Sequence, residues 1–283
     1  MKRLLDDDIS RYQKQGNFDE HLITLNSQVY GDPYIHKDAY LIYHDPLSKM
    51  LWLTLFELRG RNGDNADRLE CVRTSIAEFG PRKIVASSPE KIESEIGEYS
   101  CENVFFDKDY QIKLADFDEQ LRGGFYEDLR YRVKNAAKRG YKLSIGRELT
   151  PAHTYICALH ISKRRYNLWD YQLFLRLGNY VRNCPQVRLF NVSLNDVLIG
   201  FDVVDFLGDT MATPLGFYVD HPSLADFLMH NEILYAMQEE FRWLDVGWAC
   251  NPGLEEFKKK WKAIPRFNVC VQEYNRGNHL GVK

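Results

Sequence analysis

The sequence predicts an α/β (α+β) fold with a mixed, mostly antiparallel sheet that contains one parallel strand pair. Residues 186–194, 196–205 and 210–219 alternate apolar and polar side chains, as strands with one buried face do. In residues 224–241 the apolar positions recur at helical spacing, and a short strand follows at 243–248. A strand, a crossover helix and a second strand form a right-handed unit whose strands run parallel. The meander therefore predicts the antiparallel part, and the crossover predicts the parallel pair.

Turn residues separate the three strands of this meander. Asn195 and Asp196 lie between the first two strands, and Gly208 and Asp209 lie between the second and the third. Residues of these types tolerate the backbone conformations of tight hairpin turns. Pro222 then precedes the predicted helix, where its missing N–H is least costly.

The first 120 residues show a shorter version of the same order. Residues 1–35 are polar and predict an irregular or short-helical lead-in. The elements predicted after it are strands 39–43 and 50–57, a helix 66–79, a strand 83–86, a helix from 88 to about 96, and strands 104–106 and 110–114. This order predicts two tandem domains, residues 1–120 and residues 121–283. A single mixed domain with a long amino-terminal extension is the alternative.

A basic helix is predicted at residues 126–139, near the start of the second half. Arg130, Lys134 and Lys138 fall at i, i+4 and i+8, which places them on one helix face. This basic stripe is a candidate substrate-binding surface, because Lys and Arg hold phosphate groups. The same spacing is also typical of a solvated helix face. The elements predicted after it are a strand at 141–145 and two helices between residues 151 and 182.

The segment from residue 216 to residue 267 carries a resemblance to a known superfamily. It reads GFYVDHPSLADFLMHNEILYAMQEEFRWLDVGWACNPGLEEFKKKWKAIPRF, an aromatic strand end, a long helix, an Asp-x-Gly strand and a Phe-Lys-x-x-Trp helix. This order resembles the Gcn5-related N-acetyltransferase (GNAT) superfamily, and within it the Fem-type peptidyltransferases and their acyltransferase relatives. Residues 129–143, LRYRVKNAAKRGYKL, are similar to the basic helix that opens their catalytic half. The resemblance implies two tandem GNAT-like domains, of which the first is degenerate and the second catalytic.

The resemblance also implies where the chemistry lies, at the point where the two parallel strands separate. Tyr218 ends the first of these strands, and Asp245 lies on the second. Tyr218 is expected to donate a proton to the leaving group, and Asp245 to hold or deprotonate the incoming ammonium. Lys258 of the Phe-Lys-x-x-Trp helix is expected to stabilise an oxyanion or a donor phosphate.

Each of these catalytic candidates has a structural alternative. Tyr218 also fits an ordinary strand-end aromatic, and Asp245 fits a carboxylate that caps a backbone group. Trp248 and Asn251 follow Asp245 into a loop that would border the pocket, and both are candidate substrate contacts. Trp261 is expected to be a core residue.

The donor stays open between two classes of molecule. GNAT proteins that use coenzyme A place a glycine-rich turn before the crossover helix, because small residues let backbone N–H groups reach the pyrophosphate. Here that turn reads Asp220-His221-Pro222-Ser223-Leu224 and contains no glycine. An aminoacyl-tRNA suits the basic helix, whereas an acyl-CoA would need another mode of binding. The expected acceptor is an amine on a small molecule or a peptide, with no permanently bound cofactor.

Charge is shared unevenly along the chain. Residues 1–120 hold 15 Lys and Arg against 23 Asp and Glu, a net charge of −8, whereas the remaining residues carry a net charge of +5. A positive second half suits an anionic partner such as tRNA. Mutual attraction of the two halves is the other explanation. A GNAT-like module that binds tRNA or another anionic partner without catalysis is therefore the alternative function.

Cysteine and histidine spacing argues against a metal site. The six cysteines lack Cys-x-x-Cys spacing, and the eight histidines form no His-x-x-x-His set. No stretch approaches the roughly 20 apolar residues of a membrane span, and the amino terminus lacks an apolar signal region. The expectation is a cytoplasmic protein without a membrane span or a metal.

Overall fold

The computed structural model describes residues 1–58, 63–163 and 168–277. The chain divides into two compact units. Unit 1 comprises residues 1–109, 248–250 and 265–283, and unit 2 comprises residues 110–247 and 251–264. The last strand of the predicted second half thus belongs to unit 1. The domain boundary after residue 120 stays a prediction.

The described residues form strands and helices that alternate along the chain. The strands are β1 (Lys2–Arg3), β2 (Asp32–His36), β3 (Tyr40–Asp45), β4 (Met50–Thr54), β5 (Lys83–Ser88), β6 (Glu95–Ile96), β7 (Tyr99–Lys113), β8 (Lys142–Gly146), β9 (Arg188–Leu194), β10 (Val197–Leu207), β11 (Thr210–Tyr218), β12 (Trp243–Trp248) and β13 (Ile264–Arg276). The helices are α1 (Asp6–Gln13), α2 (Ile23–Tyr30), α3 (Asn65–Phe79), α4 (Glu127–Lys138), α5 (Pro151–Lys163), α6 (Leu168–Asn183), α7 (Leu224–Gln238) and α8 (Pro252–Lys260).

Unit 1 contains an antiparallel meander followed by one crossover. β2, β3 and β4 pair antiparallel, α3 crosses over, and β5 then pairs parallel with β4. The parallel pairing runs through five residue pairs, from Met50 with Lys83 to Thr54 with Ser87. The Leu55 N–H extends it with a hydrogen bond of 2.7 Å to the Ser87 carbonyl. The parallel pair of unit 1 is therefore closed along its length.

Unit 2 repeats this order of elements, but its two parallel strands pair over a shorter length. β8, β9, β10 and β11 pair antiparallel, and α7 crosses over to β12. β11 and β12 pair parallel over three residue pairs only, from Thr210 with Trp243 to Ala212 with Asp245. Both strands continue past these residues, so they separate. The separation of the two parallel strands in unit 2 is confirmed, and the order of strands and crossover helix is repeated in the two units.

The crossover helix α7 is held by burial of its apolar side chains. Leu228, Ile233 and Ala236 are fully buried. Each large aliphatic side chain that is buried in this way contributes about 1.5–3 kcal/mol. The helix ends at Gln238, three residues before the predicted end. Packing of α7 against β9, β10 and β11 fixes its position over the antiparallel part of the sheet.

The amino-terminal segment is more than a lead-in. It does contain two short helices, α1 and α2, but it also supplies β1 and most of β2. Leu4, Tyr12, Phe18 and Ile23 are buried in the core of unit 1. The polar composition hid these residues because they stand singly among acidic and amide side chains. A few apolar residues are sufficient here because each one is fully covered.

The helix predicted from residue 88 to about residue 96 is wrong. The Ser88 hydroxyl donates to the Glu90 carbonyl at 2.6 Å, and the Ile92 N–H donates to the Gln272 side chain at 2.7 Å. Backbone groups that a helix would use are therefore bound by side chains, and β6 follows. The two strands predicted at 104–106 and 110–114 are one continuous strand, β7. In the part of the chain that the structure describes, no helix has the length and apolar character needed to cross a membrane.

Candidate active site

The separation of β11 from β12 creates an opening in unit 2. Just past the three paired residues, the Thr213 hydroxyl donates a hydrogen bond of 3.2 Å to the Asp245 carbonyl. Beyond it, β11 runs on to Tyr218 while still paired with β10. We call this space the β11/β12 opening. In unit 1 the corresponding strands stay paired, so the equivalent space is absent between β4 and β5.

Tyr218 lies on the separated part of β11 and is held at both its backbone and its side chain. Its hydroxyl donates to Asp202 Oδ1 at 2.6 Å. Its backbone N–H donates to Nδ1 of the buried His160 at 3.2 Å, which fixes that ring nitrogen as the acceptor. Because α5 packs on β10 and β11, His160 is carried by a helix that also supports the strand. The phenol is therefore oriented before any substrate binds.

Gly216 leaves the space in which the phenol and the carboxylate meet. In the β10/β11 register Gly216 lies opposite Asp202. A Cβ atom at Gly216 would lie 2.1 Å from the Tyr218 hydroxyl oxygen and 2.4 Å from Asp202 Oδ1. Both distances are too short for any real contact, so a side chain at this position would displace the pair. The Tyr218–Asp202 hydrogen bond therefore requires glycine here.

A second carboxyl group lies behind the first. Glu232 of α7 is fully buried and forms a hydrogen bond with Asp202, which is itself buried. Burial raises the pKa of Asp202 to about 6, although hydrogen bonds from Glu232 and Tyr218 act in the opposite direction. Burial and the neighbouring Asp202 charge raise the pKa of Glu232 well above its usual value. Tyr218, Asp202 and Glu232 thus form a hydrogen-bonded chain from the strand end into the core.

Asp245 and Lys258 converge on the peptide groups of Gly247. Asp245 Oδ1 accepts a hydrogen bond from the Gly247 N–H at 2.8 Å. Lys258 Nζ donates to the Gly247 carbonyl at 2.7 Å. Gly247 has a φ of +69°, which glycine adopts readily. Both side chains are buried, so these contacts fix the course of β12 beyond the point where it leaves β11.

We expect Lys258→Met to reduce the free energy of unfolding by about 1–3 kcal/mol, because it leaves the buried Gly247 carbonyl without this donor. Urea unfolding measures the loss. Lys259→Met is the matched control, since Lys259 is exposed and its surface ion pairs with Glu255 and Glu256 should add little to stability. If Lys258 acted in catalysis and did not support Gly247, Lys258→Met would instead lower the rate of transfer and leave the free energy of unfolding unchanged.

The two candidate substrate contacts after Asp245 also have structural partners. The Trp248 indole N–H donates to Glu20, and its ring stacks on Phe105 within unit 1. The Asn251 side chain accepts a hydrogen bond of 2.9 Å from the Leu254 N–H and so caps α8 in unit 2. Such a cap contributes about 1 kcal/mol to helix stability. A substrate-binding role for either residue stays a prediction.

The basic stripe of α4 is only partly available to a ligand. Arg130 donates to the Leu121 carbonyl and, at 2.8 Å, to the Gly123 carbonyl, so it braces the turn before the helix. Lys134 and Lys138 are exposed. Two exposed lysines on one helix face remain available as contacts for an anionic partner.

The turn before α7 is braced by neighbouring side chains. Lys163 pairs with Asp220 at 2.6 Å, and the Tyr141 hydroxyl donates to the Pro222 carbonyl at 2.9 Å. The Leu224 N–H donates to the His221 carbonyl at 3.3 Å. The first N–H of the helix is therefore used within the turn, and Pro222 has none to offer. Neither Leu224 nor Pro222 therefore offers a backbone N–H to a pyrophosphate at this turn.

Sequence reasoning missed Asp202, Glu232, His160 and Gly216. For Asp202 and Glu232, the sequence did contain a signal, a carboxyl group within an apolar pattern. Asp202 stands in the apolar strand VLIGFDVVDFL, and Glu232 stands in the apolar helix LADFLMHNEILYAMQ. A carboxyl group within an apolar pattern is seldom buried unless it has a partner. The contact between Asp202 and Glu232 depends on how α7 packs on β10, which the sequence does not show.

Comparison with known proteins gives a fold and no closer relative. No protein-family model and no curated protein matches the chain. L-PGS from Bacillus licheniformis is 12% identical over 99% of this chain and 95% of that chain, with a TM-score of 0.63. FemX is 12% identical over 98% and 97%, with a TM-score of 0.59. A tandem GNAT protein from the clavulanic acid biosynthesis pathway is 10% identical over 98% of both chains, with a TM-score of 0.56. These structures share the overall fold with this chain.

Proposed function

We propose that this chain, which has the fold of the tandem GNAT proteins, is an acyltransferase that moves an acyl or aminoacyl group to an amine. The observation that carries the proposal is the Tyr218–Asp202 hydrogen bond of 2.6 Å on the separated part of β11. A phenol backed by a buried carboxylate can move a proton at the β11/β12 opening.

The amine must lose a proton before or during its attack on the donor carbonyl. Tyr218 can accept that proton at its oxygen while it passes its own phenolic proton to Asp202. A carboxyl pKa of about 6 suits this role, because a general base works best when its pKa is near the working pH. The same pair can return the proton to the leaving group. Asp245 and Lys258 support the opening from the β12 side by fixing Gly247.

We propose an aminoacyl ester, as carried by aminoacyl-tRNA, as the donor in preference to an acyl-CoA. The braced turn before α7 supports this choice, because it uses the Leu224 N–H internally and contains Pro222. The Fem-type resemblance of residues 216–267 points the same way. Lys134 and Lys138 offer exposed cations to a nucleic acid backbone. The acceptor is the amine of a small molecule or a peptide.

A thermal-shift titration tests the donor class. A stable 3′-aminoacylamido-adenosine, which stands for the end of an aminoacyl-tRNA, is compared with coenzyme A and acetyl-CoA. We expect only the 3′-aminoacylamido-adenosine, and neither coenzyme A nor acetyl-CoA, to raise the melting temperature by several degrees. A ligand at about 100 times its dissociation constant adds about 2.7 kcal/mol to the free energy of unfolding.

Other outcomes of the titration have distinct meanings. A saturable shift with acetyl-CoA would overturn the choice of donor and leave acyl transfer in place. A lack of shift with either probe, combined with salt-sensitive tRNA binding and no transfer, would replace the enzyme by a binding module. The control is the same titration with adenosine alone, which lacks the aminoacyl group.

A further inference from the structure

Two buried carboxyl groups share one hydrogen bond in the core of unit 2. Asp202 is 5% exposed and Glu232 is 1% exposed. Among the residues that the structure describes, no Lys, Arg or His forms an ion pair with either group. Two carboxylates in hydrogen-bond contact in a poorly solvated site cannot both stay ionised. One of the two groups must therefore carry a proton.

The hydrogen-bond pattern identifies which group holds that proton. Asp202 already accepts from the Tyr218 hydroxyl at 2.6 Å, so a charge on Asp202 is stabilised from one side. Glu232 has one oxygen directed to Asp202, and its Oε1 atom is buried without a hydrogen-bond partner in the described structure. An ionised Glu232 would leave a charged oxygen unsolvated, which is far more costly than a neutral one. Asp202 is the better anion and Glu232 the better acid.

We propose that Glu232 is a positioning residue that stays protonated and donates its carboxyl hydrogen bond to Asp202, so that Asp202 remains the ionised end of the Tyr218 relay. This role rests on the proposed acyl transfer for its purpose, but the protonation of Glu232 does not. Glu232 contacts neither donor nor acceptor and acts through Asp202.

The proton balance of the relay closes without an added reactant. The acceptor reacts as its neutral amine, after the ammonium has lost one proton to solvent. As the amine nitrogen forms its bond to the donor carbonyl carbon, it loses a second proton to the Tyr218 oxygen, and Tyr218 passes its phenolic proton to the Asp202 carboxylate. The bond from the carbonyl carbon to the leaving oxygen then breaks. Asp202 returns the proton through Tyr218 to the leaving oxygen. Glu232 keeps its own proton throughout.

The surrounding titratable groups have partners of their own. On β11, Tyr218 binds Asp202 through its hydroxyl, and its backbone N–H binds His160 of α5. His153 of α5 binds Asn191 of β9, Asp205 of β10 binds Tyr180 of α6, and Arg188 of β9 binds backbone carbonyls. Arg132 of α4 pairs with Asp128 of its own helix and with Asp226 of α7. Asp202 is therefore the titratable group to which Glu232 responds.

Protonation of Glu232 has a stability signature that needs no substrate. Its folded pKa lies above its unfolded value, so the folded state binds more protons than the unfolded state once the pH exceeds about 4.5. Stability is then lost as the pH rises toward the folded pKa. Each proton held only by the folded state changes the unfolding equilibrium by up to about tenfold per pH unit. Glu232→Gln cannot ionise, so its stability should fall less steeply than that of the unaltered protein.

The experiment compares Glu232→Gln, Glu232→Met and Asp205→Asn with the unaltered protein. The readouts are the infrared carbonyl stretch of protonated carboxyls at neutral pH, thermal melting from about pH 5 to about pH 8, and the pH profile of transfer. Asp205 is the matched control, because it is a buried carboxyl on the same strand with a tyrosine partner, Tyr180.

We expect Glu232→Gln to lose one protonated-carboxyl band, to flatten the pH dependence of melting, and to keep transfer within a few-fold, since the amide also donates to Asp202. Glu232→Met, which cannot donate, should move the acidic limb of the transfer profile to higher pH. Asp205→Asn should leave the transfer profile unchanged. If Glu232→Met fails to fold, the comparison with Glu232→Gln still decides.

Three results would overturn the proposal. One is an unchanged infrared band in Glu232→Gln, a second is an equally steep stability profile in that variant, and a third is an acidic limb that Glu232→Met does not move. A lost band together with no transfer from any donor would instead refute the proposed function and leave the protonated Glu232 standing.

Discussion

Tyr218→Phe and Asp202→Asn are each expected to lower the rate of transfer by about 10²–10⁴-fold, which is the usual contribution of a general acid or base. Tyr218→Phe removes the atom through which the proton passes while keeping the ring. Asp202→Asn keeps a hydrogen-bond acceptor for the phenol but removes the basic oxygen. Both changes preserve volume, so the fold should be retained.

A transfer assay with the donor identified by the thermal-shift titration measures these losses, and circular dichroism checks the fold. Tyr180→Phe provides a matched control, because Tyr180 also donates to a buried carboxyl, Asp205, and lies outside the β11/β12 opening. It should lower stability and leave the rate unchanged. Full activity in both Tyr218→Phe and Asp202→Asn would show that proton transfer uses other groups.

Gly216→Ala is expected to abolish the same hydrogen bond without altering either partner. The added methyl would lie 2.1 Å from the Tyr218 hydroxyl oxygen, so the phenol must turn away from Asp202. We expect a loss of rate comparable to that of Tyr218→Phe and a loss of stability of about 1–3 kcal/mol from overpacking. Gly216 does not have a positive φ, so steric contact and not backbone strain is the cause.

Transfer assays and urea unfolding together measure the effect of Gly216→Ala. Gly178→Ala is the control, because a Cβ atom at this helical glycine meets nothing within 4 Å. It should stabilise the protein by up to about 1 kcal/mol through helix propensity. A Gly216→Ala variant with an undiminished rate would mean that the phenol–carboxylate contact is dispensable.

The sequence was most informative where one periodicity dominated. β12 was predicted with its observed bounds, because Trp243–Trp248 is a short apolar run between a helix and an asparagine-proline turn. α3 was nearly as clear, since Asp64 caps its start and Gly80 ends it. In such segments local preference and tertiary packing favour the same structure.

The candidate site was less predictable because its contacts join distant residues. Tyr218 could be identified from its place at a strand end, but Asp202 and Glu232 are 30 residues apart in the sequence and meet only after α7 packs on β10. Lys258 and Asp245 were chosen for chemistry, and the structure places both on Gly247. Residue type gives the possible chemistry, whereas burial and partners decide which charges are free to react.

The closed strand pair in unit 1 confines the proposed transfer chemistry to unit 2. A duplicated fold can provide two equivalent centres, but only unit 2 keeps its parallel strands apart. A donor that enters between such strands should therefore bind with a stoichiometry of one per chain. Its isotherm should describe a single class of site, without the cooperativity that two linked centres could produce. Under the proposed function, the repeated unit supplies a scaffold and not a second catalytic centre.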